Sequence, residues 1–135
     1  MSILWGILGL GFLVFFHELG HCLMAHLCGV TVEAFSVGMG PVLLHHQWGA
    51  TDYRLSLIPL GGYCAMKGET DYREALEQNL PEIPGTPDSF YGTSPLRRLL
   101  IAFAGPLFNL LFTVLACTAI ALTGYTYYDT GTSVV

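Results

Sequence analysis

The stretch Phe15-Phe16-His17-Glu18-Leu19-Gly20-His21 places an H-E-x-x-H motif at the end of the first apolar run of the chain. On an α-helix, residues four apart stand one above the other, so His17 and His21 offer two imidazole nitrogens to one metal ion while Glu18 lies beside them. Metallopeptidases hold Zn2+ at this spacing: the metal polarises the scissile carbonyl and its bound water, and the glutamate acts as general base. The bland alternative is a chance match on a soluble helix whose histidines face water. Here, however, Ile3 to Phe16 is a run of fourteen uncharged residues that leads straight into the motif. Ionisable side chains at membrane depth are costly unless a partner such as a metal holds them, which favours a functional site.

The composition agrees with that setting. Hydrophobic residues make up 53% of the 135 positions and charged residues 11%, with a mean hydropathy of +0.55. This is too apolar for an ordinary soluble domain and predicts a membrane protein of one domain or a piece of one. The net charge of -5 argues against nucleic acid, because no basic patch is available to neutralise phosphates. Cys22, Cys28, Cys64 and Cys117 form no C-x-x-C pair, and they read as reduced packing residues.

The expected architecture is mainly α: two transmembrane helices joined by a small antiparallel, membrane-associated β-sheet and a cytoplasmic loop. Residues 1–30 form the first helix, with Ser2 as N-cap and Gly29 as its stop. A cleaved signal peptide would need a positive n-region and a small-residue cleavage site, and neither is present. At about 1.5 Å per residue, the helix reaches His17 more than halfway through a hydrocarbon core of about 30 Å. Arg54, Lys67, Arg73, Arg97 and Arg98 all lie between the two apolar segments, so the loop is expected in the cytoplasm and both termini outside.

Residues 31–67 alternate as strands do. A break is expected at Gly38-Met39-Gly40-Pro41, a turn at Trp48 to Asp52, and an end at Pro59 to Tyr63. So apolar a sheet after the motif helix is expected to dip into the bilayer, where an exposed edge can accept an extended substrate by strand addition. Residues 68–94 are acidic and Pro-containing, with a short amphipathic helix over Asp71 to Leu80 and otherwise a solvated face. Residues 95–124 form the second helix, opened by Ser94-Pro95 and flanked by Arg97 and Arg98. Within it, Gly105 allows a close helix approach, Pro106 frees a carbonyl, and Asn109 needs a partner. Asn109 is either interhelical glue or a residue facing the metal cavity or the substrate strand. Residues 125–135 are the outer-side tail, with Tyr125, Tyr127 and Tyr128 as an aromatic belt. His26 falls on another face of the first helix, and His45 and His46 point to opposite faces of a strand, so none of them is expected to bind the metal.

Four stretches occur in one order: His17-Glu18-Leu19-Gly20-His21; Cys28-Gly29-Val30 with Phe35 to Gly40; Ile58-Pro59-Leu60-Gly61-Gly62-Tyr63; and Ala104-Gly105-Pro106 with Asn109. By these the chain resembles the N-terminal part of the site-2 protease family of intramembrane zinc metalloproteases, and most closely its bacterial regulator-of-sigma-E branch. The resemblance implies Zn2+ held by His17 and His21, with Glu18 as the catalytic glutamate. It implies that the strands are the membrane-associated β-loop that engages substrate. Gly61, Gly62 and Asn109 are the expected substrate-binding residues. The implied reaction is hydrolysis of a peptide bond in the transmembrane segment of an anchored regulator, such as an anti-sigma factor, in the bacterial inner membrane. Such a helix must first unwind to expose its carbonyls. In the family a third zinc ligand, an aspartate, comes from a later helix, and in this branch PDZ domains follow the second helix. The chain is therefore expected to be the N-terminal part of a longer enzyme, whose C-terminal half supplies that aspartate. The rival expectation is a non-catalytic membrane adaptor or pseudoprotease that holds client peptides or metal.

Overall fold

A computed structural model describes residues 2–83 and 85–124. Five elements follow one another: α1 (Ser2–Leu27), β1 (Val32–Trp48), β2 (Thr51–Met66), α2 (Asp71–Glu77) and α3 (Pro95–Thr123). The expected aromatic belt of the tail lies outside the described residues.

Two helices, α1 and α3, are long and apolar enough to cross a membrane. Only 6% and 17% of their most apolar stretches are buried by the described residues. Ile3, Trp5, Phe103 and Leu115 are all more than half exposed. These features are consistent with a membrane protein, in which lipid covers that surface.

α1 ends where its sequence says it should. Gly29 adopts φ +79, Val30 donates its N–H to the Ala25 carbonyl (2.9 Å), and Gly29 donates to His26 (3.1 Å). This is the six-to-one and five-to-two pairing of a Schellman stop, which satisfies carbonyls that the helix leaves open. Val30 is then buried beside the last turn and the chain leaves directly as β1. At the start of α3, Ser94 is extended and Pro95 takes the first helical position, where the missing N–H costs nothing. Pro106 is accommodated inside that helix without ending it.

β1 and β2 form a two-stranded antiparallel sheet closed by the Gly49-Ala50 turn. The expected breaks do not occur: β1 runs on through Gly38 to Pro41, and β2 through Pro59 to Tyr63. Gly38 and Gly40 take positive φ, so the chain bends by bulges while pairing continues. The bending folds the sheet on itself. Phe35 is partnered by both Cys64 and Tyr53, and Val37 by both Gly62 and Leu55, so the start of β1 lies between the two ends of β2. The amphipathic helix expected in the acidic segment is present as α2, two turns long.

The core lies where the C-terminal half of α1, the start of α3 and the base of the sheet meet. Cys22, Ala25, Val30, Val32, Phe35 and Ile101 are buried there. Small residues set the helix spacing. A Cβ on Gly20 would stand 2.5 Å from the Ala104 carbonyl oxygen and 3.0 Å from the Phe108 Cβ, so the α3 backbone rests on the α1 glycine. Further along, Phe16 stacks on Phe112 at 4.5 Å between ring centres. The acidic segment is tied to the base of the sheet: Thr31 N–H donates to Asp88 O, Phe90 N–H to Lys67 O, and Lys67 Nζ pairs with the Asp88 carboxylate at 2.7 Å.

Gly20→Val is expected to force α1 and α3 apart and to destabilise the chain by about 1–3 kcal/mol. Gly9→Val, where nothing lies within 4 Å, is the neutral comparison. Thermal unfolding in detergent measures both. Lys67 holds the Asp88 carboxyl well below the usual carboxylate range. A depressed acid stabilises above its unfolded pKa and loses that contribution as pH falls through its folded value. Asp88→Asn should therefore melt below the wild type at about pH 7, and the gap should close only below about pH 4.

Candidate metal centre

His17 and His21 lie one turn apart on the face of α1 that meets α3, with ring centres 4.8 Å apart and planes at 81°. Both rings lean over Gly105. A Cβ there would stand 2.8 Å from His17 Cε1 and 2.7 Å from His21 Cε1, and closer still to His21 Nε2. Only a residue without a side chain leaves room for both imidazole edges, and Gly105 is itself buried.

Each ring is held from behind through Nδ1. His21 Nδ1 bonds the Ile101 carbonyl oxygen at 2.8 Å. A carbonyl only accepts, so the neutral ring carries its proton on Nδ1 and presents the Nε2 lone pair toward Gly105. Metal-bound histidines are oriented by such bonds from their second nitrogen. His17 Nδ1 lies 3.3 Å from the Asn109 amide nitrogen. The cradle above Gly105 and the imidazole donors suit zinc. Among the described residues, no group of three or more His, Cys, Asp and Glu side chains gathers around one metal position. His17 and His21 thus supply two donors, and a closed zinc site needs more.

Glu18 faces a cleft of about 300 Å3 that it lines with His21, Gly62, Tyr63, Cys64 and Ile101. Strand β2 therefore runs past the carboxylate. A Cβ on Gly62 would stand 2.7 Å from the Ser36 carbonyl oxygen, so β2 lies this close to β1 only with glycine, while 3.4 Å to Glu18 Cγ is an ordinary contact. The structure separates the two expected substrate glycines. Gly62 is at the cleft, whereas Gly61 lines an apolar groove with Gly11, Phe12, Phe15 and Pro59. Asn109 is brought to His17 rather than to the strand.

The other histidines stand apart from this pair. His26 Nδ1 bonds its own helix at the Cys22 carbonyl (2.8 Å), His45 pairs with Asp52 at 3.4 Å, and His46 is exposed on the sheet. Sequence reasoning found Gly105 as a point of close helix approach but not as the floor beneath the imidazoles. It missed the Ile101 carbonyl altogether, since a backbone acceptor has no residue type to read.

Gly105→Ala puts a methyl group where both imidazole edges lie. It is expected to lower zinc bound per purified chain at least about tenfold, the scale on which lost ligand support acts. Elemental analysis beside the wild type checks this.

The model of Peptidase family M50 matches residues 5–133. A Treponema pallidum protein named "Putative zinc metalloprotease" is 51% identical over 124 residues, which is 92% of this chain and 28% of the relative. A Borreliella burgdorferi protein of the same name is 46% identical over 129 residues, 96% of this chain and 30% of the relative. The chain thus spans under a third of the length of these relatives. The family match and the two histidines above Gly105 agree, and the chain belongs to peptidase family M50.

Proposed function

We propose that the chain is the N-terminal catalytic part of an intramembrane zinc metalloendopeptidase. The observation that carries this reading is the pair of imidazoles over Gly105, with Glu18 beside them on an apolar helix and strand β2 passing the carboxylate. The substrate is the transmembrane segment of a membrane-anchored regulator, such as an anti-sigma factor. The protein sits in the bacterial inner membrane with its loop in the cytoplasm and both ends of this chain outside.

His17 and His21 hold the zinc, and a C-terminal half of the protein supplies an aspartate as the further ligand. Bound zinc contributes Lewis-acid chemistry, polarising the peptide carbonyl and acidifying water. Glu18 takes a proton from the attacking water on a carboxylate oxygen and returns it to the departing amide nitrogen. The substrate pairs as an extended strand along the Gly62 to Met66 end of β2, which unwinds its helix and brings a carbonyl beside Glu18. Gly61, behind that strand, keeps its bend.

The experiment is Glu18→Gln in the full-length protein, expressed with a tagged single-span substrate. Cleavage should fall by about 10²–10⁴-fold, the usual share of a general base, while zinc content and substrate capture persist. Undiminished cleavage would overturn the proposal. Persistent client function without any cleavage in the wild type would favour a membrane adaptor.

A further inference from the structure

The contact between His17 Nδ1 and the Asn109 side chain at 3.3 Å admits two arrangements. With the amide nitrogen on His17, Nδ2 donates to Nδ1, so the neutral ring carries its proton on Nε2 and offers no lone pair there. That arrangement also leaves Asn109 Oδ1 buried with no donor in reach. Burial of that group alone does not choose between oxygen and nitrogen, so the choice falls to the polarity that each orientation imposes on His17. Turning the amide by 180° exchanges two groups of nearly equal size. The carbonyl oxygen then accepts from His17 Nδ1–H, and the lone pair is left on Nε2, the neighbour of the Cε1 that lies over Gly105. The same polarity is forced at His21 by the Ile101 carbonyl.

We propose that Asn109 is a positioning residue: its Oδ1 accepts the Nδ1–H of His17 and fixes the tautomer that leaves the Nε2 lone pair free for a metal ion. This inference rests on the zinc reading of the site, but its first test does not need metal. Asn109 thereby does for His17, from α3, what a backbone carbonyl of the same helix does for His21. Both rings are oriented before any metal arrives.

The test uses the whole chain in detergent, labelled with 15N at histidine, at about pH 8, above the ordinary imidazole range. In the metal-free wild type, His17, assigned by comparison with His17→Gln, should show the Nδ1–H form. In Asn109→Ala its signals should move toward a mixture of the two forms, with His21 unchanged. An Nε2–H form at His17 in the wild type overturns the proposal. So does an unaltered His17 in Asn109→Ala.

Zinc affinity by chelator competition provides the second readout. Asn109→Ala and Asn109→Leu should bind about 10–100-fold more weakly, while Asn109→Asp, which still accepts from Nδ1–H, should stay near the wild type. Equal weakening by Asp and Ala overturns the proposal, because a merely structural contact would treat them alike. A wild-type chain that binds no zinc with or without its C-terminal half, yet keeps His17 as Nδ1–H, defeats the protease reading while the tautomer assignment stands.

Discussion

The site depends on how closely α1 and α3 approach. At Gly20 the α3 backbone rests on α1, and one residue beyond Ala104 the roles reverse, with Gly105 of α3 receiving the imidazoles of α1. Two glycines on opposite helices thus set both the spacing and the cavity. A membrane supplies no hydrophobic drive between apolar helices, so close contact and polar bonds must hold them. Here the polar bonds include His21 to Ile101 O and His17 to Asn109, and both involve the motif histidines. Ring orientation therefore shares its polar contacts with helix association.

The sheet serves the same centre from the other side. Its base is anchored in the core through Val32, Phe35 and Cys64, so the Gly62 end of β2 is carried against Glu18. Its far part is exposed and apolar, with Met39, Leu43, Leu44 and Leu57 open to the surroundings. Packed near the carboxylate and bare beyond it, the strand carries its backbone past Glu18 into exposed apolar surface. Arg54, bonded to Asp52 and to the Tyr63 hydroxyl, ties the two ends of β2 across the fold.

Much of this was legible in the residues. The i, i+4 histidines on an apolar run placed two donors on one helix face, Gly29 marked the end of α1, and Ser94-Pro95 the start of α3. The strands ran longer than their glycines and prolines suggested. Positive-φ glycines such as Gly38 act as bulges when the partner strand is long enough to pair on both sides of them. The alternation of side chains shows that a strand exists, but not where it bends.

The sequence by itself determined the chemistry of the donors, the helix that carries them and the apolar surroundings, because periodicity and capping are local properties of the chain. Tertiary structure alone decided what those donors face. Ile101 is 80 residues from His21 and Asn109 is 92 from His17, and no local pattern reports a contact across such a distance. It also separated Gly62, at the carboxylate, from its neighbour Gly61, in the groove behind it. The reason is physical: adjacent residues on a bent strand point to opposite faces, and only the packed helices determine which face is the site.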